Sequence, residues 1–292
     1  MSPAFPTRRV LLTGAGGQLG IDVVRAAESR HDIALHPFSR AELDITDKAV
    51  VAEVVDAVQP EVIIHAAAYT AVDDCATNED HARNVNGAGA ANVLAAARSI
   101  GARVVYVSTD YVFDGTKSGP YVETDQPNPT SAYGRSKLTG ENAVSELGAD
   151  GLIVRTSWVC GVNGSNMVKT ILRAAENYPT LTFVDDQTGK PTFTSDLAEA
   201  LLTLATRSDS GIMHVTNERA VSWYEFCQEV LEAAGLGRDR VNPCSTSDLQ
   251  PPRPAPRPAN SVLANTRFVE LGLKPLRDFK APLEETVRDL TN

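Results

Sequence analysis

The sequence predicts an α/β protein built on a doubly wound parallel sheet, with a smaller domain towards the C-terminus. Three observations predict it. Short apolar, β-rich runs alternate with helical patterns through the first two-thirds of the chain, the signature of βαβ units. The interiors of those runs are continuous Val, Ile and Leu, as expected of strands covered on both faces. A glycine-rich turn, Thr13-Gly14-Ala15-Gly16-Gly17-Gln18-Leu19-Gly20, joins the first run to the first helical pattern.

The elements follow in order. Strands are expected over residues 9–12, 33–37, 61–66, 103–108 and 152–156, and helices over 19–29, 48–58, 79–100 and 132–147. Gly101 suits the left-handed end of the third helix. Pro127 and Pro129 precede the fourth helix, where proline does no harm. Beyond residue 160 the pattern is less regular. A loop at 163–165 leads to a helix at 167–176, a strand at 181–184, a loop at 185–191 and helices at 195–206 and 222–234. The tract 251–258, PPRPAPRP, reads as a stiff polyproline segment, and no internal repeat is present. The expected division is a dinucleotide-binding domain of residues 1–160, to which 188–216 return, and a second domain of 161–187 and 217–292.

Bulk properties exclude several classes. A chain of 292 residues with 42% apolar content buries a sizeable core. The formal net charge of -10 argues against a nucleic-acid binder. No apolar run reaches the roughly 18 residues of a membrane helix. The start, MSPAFPTRRV, has no leader-like apolar stretch, so a cytoplasmic protein is expected. Cys75, Cys160, Cys227 and Cys244 are scattered and read as free thiols. The histidines show no ligand spacing, and no metal site is expected from them. The acidic pairs Asp73-Asp74 and Asp185-Asp186 read as solvated loop carboxylates, with a cation site as the alternative.

Gly14, Gly17 and Gly20 follow a strand and open a helix, the context a phosphate loop requires. Glycine permits the turn and the close approach of a pyrophosphate, and the helix N-terminus offers free N–H groups. The spacing is G-x-x-G-x-x-G, a variant of the Rossmann fingerprint. At the end of the second strand, where an NAD site often places a carboxylate, stand Ser39 and Arg40. Arg40 suits a 2′-phosphate, so NADPH is expected ahead of NADH.

Tyr133 and Lys137, within SAYGRSKLTGE, lie one helical turn apart on a common face. A phenol titrates near pH ~10, and a neighbouring ammonium is expected to bring that down, which suits proton transfer to or from an oxygen.

The glycine loop, the YxxxK helix and the strand order together resemble the extended short-chain dehydrogenase/reductase superfamily. Within it, TGAGGQLG, LDITD, HAAAYTAVD, VSTDYVFDG, YGRSKLTGE, VRTSW, DDQTGKPT and RPANS resemble, in order and along nearly the whole chain, the dTDP-4-dehydrorhamnose reductase family. The resemblance implies NADPH-dependent reduction of the C4 ketone of a nucleotide-linked 4-keto sugar, with Thr109, Tyr133 and Lys137 as the catalytic triad. It also implies that Gly14, Gly17, Gln18, Leu19, Gly20, Ser39 and Arg40 surround the cofactor. Asp44 and Ile45 would line the adenine pocket, Ala66, Ala67, Ala68 and Tyr69 would run beside the phosphates and ribose, and Pro191 would border the nicotinamide. Asp110, Tyr111, Trp158 and Asn166 would face the sugar nucleotide, and Arg257, Asn260 and Ser261 would hold its nucleotide end. The second domain would then be the sugar-nucleotide-binding one. The resemblance leaves a homodimer open. Some relatives use magnesium at a dimer contact, but no ligand set for it maps onto this chain. Two departures fall near the sugar pocket: Cys160 stands where an aromatic residue is usual, and Met167 where phenylalanine is common.

Other activities share the fold. A nucleotide-sugar dehydratase continues from the catalytic Thr with an Asp-Glu acid–base pair, whereas Asp110 here is followed by Tyr111. An epimerase recycles its nicotinamide, so net NADPH consumption separates it from a reductase. A non-catalytic subunit resembling the regulatory subunit of methionine adenosyltransferase is the alternative outside enzymology, and the intact Thr109, Tyr133 and Lys137 weigh against it.

Overall fold

A computed structural model describes residues 7–291. The first six residues, which carry part of the expectation that no leader is present, and Asn292 lie outside the described residues.

The strands β1 (Arg8–Thr13), β2 (Ile33–Phe38), β3 (Val62–His65), β4 (Arg103–Thr109), β5 (Gly151–Thr156) and β6 (Gly211–His214) form one sheet in the order β6-β5-β4-β3-β1-β2. Every pairing is parallel. The chain reverses direction of winding between β1 and β3, and in such sheets the crevice at that point, outside the carboxyl ends, receives the ligand.

Strand alternation builds a core on each face. Val10 and Leu12 of β1 join Val62 and Ile64 of β3 beneath helices α1 (Gln18–Ala27) and α6 (Thr194–Ala205). Leu11, Ile63, Val104 and Tyr106 point the other way, beneath α2 (Lys48–Val58), α3 (Ala90–Ile100) and α4 (Ala132–Ser145). All eight of these strand residues are fully buried. Each such Val, Leu or Ile side chain contributes roughly 1.5–3 kcal/mol of transfer free energy. The continuous apolar runs of the sequence are thus two interleaved cores.

A third cluster lies outside the sheet. Val168 and Ile171 of α5 (Met167–Asn177), Phe226 and Val230 of α7 (Trp223–Ala233), and Leu283 and Val287 of α8 (Lys280–Thr291) close on one another. Beside them, Leu181–Val184 pairs in parallel with Val241–Cys244.

Besides the short elements Val72–Thr77, Val241–Cys244 and Thr266–Glu270, which were not expected, the structure departs from the sequence reading in three places. The helix expected over 79–100 is composite: Glu79–Ala82 is α-helical, Arg83–Gly89 is a π-helix, and α3 follows. Inside the π segment the Asn86 amide reaches out, accepting from the Tyr69 N–H at 2.8 Å and donating to the Tyr69 carbonyl at 3.0 Å and to Ser136 Oγ at 2.9 Å. Such bulges cluster at functional sites, and this one pins the loop after β3 to α4. The strand β6 and the helix α8 were not expected at all. β6 is four residues long and takes its register from β5 (Met213 opposite Val154) rather than from its own pattern. α8 carries Pro282 in its first turn and a polar sequence.

Candidate active site

The turn after β1 is built around absent side chains. Gly14 has φ +76°, and a Cβ there would lie 2.8 Å from both Cα and N of Ala67. A Cβ on Gly20 would lie 2.7 Å from the Ala15 Cα. The loop therefore folds flat against the end of β3 and α1 starts directly beneath it. Gly17 is the N-cap of α1 and supplies no side-chain cap. The orphan N–H groups of the first turn, with the positive end of the helix dipole, form an anion cradle. Thr13 Oγ1 braces the loop beneath, 2.7 Å from His65 Nδ1 and accepting from the Ala67 N–H at 3.2 Å.

Two cavities meet over this turn, sharing Gly14, Gly17, Ala66 and Ala68. One, of about 470 Å³, runs from the glycine turn past Ala67 and Tyr69 to Ser39, Arg40, Asp44 and Ile45. Its far end is also lined by Leu43 and Thr46, within the LDITD motif, and by His81, Asn84 and Val85, whose positions no sequence motif singles out. Arg40 is exposed and makes no hydrogen bond or ion pair among the described residues. Glu42, the nearest acid in sequence on that turn, is occupied by the Ser39 N–H and hydroxyl at 2.8 and 2.7 Å, which hold its carboxyl below the usual range.

The other cavity, of about 520 Å³, holds Gln18, Leu19, Gly20, Thr109, Asp110, Tyr111, Tyr133, Lys137 and Trp158. The pieces arrive from three elements. β4 ends at Thr109. Ser131 caps α4 by accepting from the Gly134 N–H at 3.1 Å, which fixes Tyr133 in the first turn. Trp158 follows β5 with φ +45°, a left-handed conformation rare for a large side chain.

Tyr133 is 9% exposed and packs edge-on against Tyr111, ring centroids 5.6 Å apart. Burial pushes its phenol well above the ordinary value; the Thr109 hydroxyl offsets part of this, and Asp110, Tyr111 and Cys75 add to it. Lys137 is 2% exposed. Its ammonium donates to the Val107 carbonyl at 2.8 Å and lies 4.0 Å from the Tyr106 ring centroid. Burial lowers it to about 7, against the favourable charge of Glu141. The expectation that Lys137 depresses the Tyr133 phenol is corrected here. Desolvation outweighs every neighbouring charge, and the ammonium is engaged by the strand carbonyl. Tyr133 is consequently a protonated group at neutral pH.

Thr109 donates to Asp110 at 3.0 Å and accepts from the Tyr111 N–H at 3.2 Å. Asp110 is 2% exposed, and its second carboxylate oxygen has no partner among the described residues. Burial raises it to about 6, with Ser261 and Thr109 pulling it back.

Other expected residues stand elsewhere. The Asn166 amide caps α5, accepting from the Lys169 N–H at 3.2 Å, and donates to Gln18 Oε1 at 2.8 Å and the Gly161 carbonyl at 2.7 Å. The Asn260 amide donates to the carbonyls of Lys117 and Gly119 at 2.7 and 2.9 Å and accepts from the Val262 N–H at 3.0 Å. Arg257 is clamped by both oxygens of Asp73, each at 2.8 Å. Pro191 is buried and lines neither cavity. Asn166, Asn260 and Arg257 brace the walls by bonds within the protein. Besides the cavity-lining His81, Asn84 and Val85, the sequence reading missed the role of Trp223 and took Asp73 for a solvated loop carboxylate. Asp73 holds Arg257. Trp223 stacks flat on Trp158, centroids 3.5 Å apart, and lines the same cavity.

Among the described residues, no helix is long and apolar enough to cross a membrane, and no group of three or more His, Cys, Asp or Glu is gathered as for a metal ion.

A doubly wound sheet with an anion cradle after its first strand, and a threonine at the end of its fourth facing a Tyr-x-x-x-Lys helix, is the architecture of a nicotinamide-dependent oxidoreductase of the extended short-chain type. The chain belongs to the family described as the RmlD substrate binding domain, whose model matches residues 8–292. It is 41% identical over 285 residues to the dTDP-4-dehydrorhamnose reductase of Mycobacterium tuberculosis, covering 95% of this chain and 91% of that one. Among solved structures, the dTDP-4-dehydrorhamnose reductase of Clostridium acetobutylicum superposes with a TM-score of 0.92 at 39% identity, covering 97% of this chain and 100% of that one. The Bacillus anthracis enzyme of that name, solved in complex with NADP, superposes at 0.90 and 36% identity, covering 97% and 99%.

Proposed function

We propose that this chain reduces the C4 ketone of dTDP-4-dehydro-L-rhamnose to the alcohol of dTDP-L-rhamnose, with NADPH as reductant. The observation that carries the reading is the shared cavity wall. The anion cradle of Gly14, Gly17 and Gly20 opens into the chamber that holds Thr109, Tyr133 and Lys137. The cradle fits a dinucleotide because its glycines let the turn fold hard against Ala67 and Ala15, where a Cβ would clash, and α1 begins there with no side chain capping its first N–H groups. Arg40, at the far end of the adjoining cavity, supports NADPH over NADH.

When bound, NADPH supplies the hydride that C4 receives. Gly14, Gly17, Gln18, Leu19 and Gly20 would hold its pyrophosphate, and Arg40 with Ser39 its 2′-phosphate. Asp44, Ile45 and Ala66 to Tyr69 would wall its adenosine side. Lys137 would hold a ribose hydroxyl through its ammonium. The protein's own chemistry is a proton transfer. Tyr133, held protonated by burial, gives its proton to the oxygen that becomes an alkoxide. Thr109 would orient the same oxygen by turning its one hydroxyl proton from Asp110 to it. The stacked Trp158 and Trp223 and the ring of Tyr111 give the chamber an apolar wall. Residues 161–187 and 217–292 would form the sugar-nucleotide wall, with Arg257 held ready by Asp73.

The test is stoichiometric. With dTDP-4-dehydro-L-rhamnose supplied, loss of NADPH absorbance should match formation of dTDP-L-rhamnose one for one. Sugar conversion without net NADPH loss would make the chain an epimerase, and no conversion would remove the substrate assignment.

A further inference from the structure

Behind the reacting face of α4 lies a polar cluster that hydride transfer does not use. Glu141 stands one turn past Lys137 on the same helix face and is 2% exposed. Ser108 Oγ donates to its Oε1 at 2.5 Å, and Arg155 donates to both oxygens, Nε to Oε1 at 2.9 Å and Nη2 to Oε2 at 2.6 Å. Arg155 is 1% exposed, and its guanidinium lies 5.0 Å from the Phe113 ring centroid. Ser108 sits between Val107, whose carbonyl takes the Lys137 ammonium, and Thr109. One carboxylate therefore ties the strand segment bearing two site groups to the helix bearing the other two.

The charge count around Lys137 gives the cluster its meaning. Tyr106 lies under the ammonium from β4, and burial keeps its phenol neutral. His65 on β3 feels the Lys137 charge and is held neutral, lowered to about 3 by burial. Tyr133, on the same helix, is neutral for the same reason. Arg155, on β5, is a second buried cation. Glu141 is thus the anion whose charge favours the Lys137 cation from one helical turn away, and it is also the counter-ion of Arg155.

We propose that Glu141 is a positioning residue for the reaction: clamped by Ser108 and Arg155, its carboxylate favours the cationic form of the Lys137 side chain at the Val107 carbonyl. The consequence for turnover rests on the reductase reading; the charge relation itself does not. Without Glu141, two cations would share a core with no counter-ion, and Lys137 is the one that can release its proton.

The experiment titrates Lys137 directly. In protein labelled with 13C-lysine, the Lys137 Cε resonance is the one missing from Lys137→Arg. Its titration midpoint in Glu141→Gln should fall by about one pH unit or more, a tenfold loss of the cation at fixed pH. Glu141→Asp, which keeps the charge, should leave the midpoint near that of the wild type. Should Glu141→Gln fail to fold, Glu141→Leu with Arg155→Met removes both buried charges, and its midpoint should lie below that of Arg155→Met alone, which keeps the Glu141 carboxylate. A folded variant lacking the Glu141 carboxylate whose Lys137 titrates at the midpoint of the protein with Glu141 intact and the same residue 155 overturns the proposal. The titration needs neither cofactor nor sugar, so this result and a failure of turnover are read independently. Where turnover is present, the alkaline limb of kcat/KM should move to lower pH with the midpoint.

Discussion

Gly14 and Ala67 approach so closely that a single methyl group on Gly14 would lie 2.8 Å from the Ala67 backbone nitrogen. Both partners are main chain, so neither gives way cheaply. With φ at +76°, Gly14→Ala adds backbone strain of about 1–3 kcal/mol to the clash. The variant should melt several degrees lower and bind NADPH at least about tenfold more weakly, since 1.4 kcal/mol is a factor of ten. Thermal melting and NADPH fluorescence titration check this.

Arg40 makes no ion pair or hydrogen bond among the described residues, at the end of the cavity furthest from Tyr133. A charge-assisted bond to a 2′-phosphate is worth about 1.5–3 kcal/mol. Arg40→Ala should raise KM for NADPH about 10- to 100-fold and leave KM for NADH unchanged. An equal effect on both cofactors would place Arg40 in general stability.

Asp110 makes stability depend on pH in a stated direction. Its folded value, about 6, lies above the ordinary 3.8 of the unfolded chain. Below pH 4 both states hold the proton and the group is neutral in the balance. As pH rises from about 4 to about 6 the unfolded state releases its proton first, so stability falls, by roughly 3 kcal/mol in all. Asp110→Asn removes that cost and should raise Tm at pH 8 while changing it far less at pH 4. Melts of the two proteins across this range decide it; a stabilisation that does not vary with pH would contradict the desolvation account.

Those outcomes depend on features of unequal visibility in the sequence. β1, β3, β4 and β5 were legible because each carries a short continuous apolar run, and the edge strand β2, with His36 and Pro37, because it lies between two helical patterns. The chemistry of the Thr13 to Gly20 turn was legible because glycine marks backbone proximity. What stayed hidden depends on partners far along the chain. β6 is too short to carry a period and is specified by β5. The π turn around Asn86 arises from bonds to Tyr69 and Ser136, 17 and 50 residues away. The Lys137 and Tyr133 spacing was visible, but burial was not. The phenol's direction of shift, set by desolvation, therefore came out opposite to the one that charge proximity suggests. Trp223 reads as an ordinary helix-start aromatic until its stack on Trp158 is seen.

The central claim is that the Tyr133 hydroxyl protonates the reduced oxygen. Single-turnover absorbance of bound NADPH, mixed with dTDP-4-dehydro-L-rhamnose, measures that step in wild type and in Tyr133→Phe. A hydride-transfer rate lower by roughly 10²–10⁴-fold in the variant, with NADPH affinity unchanged, is the predicted result. An unchanged rate in the phenylalanine variant would contradict the claim.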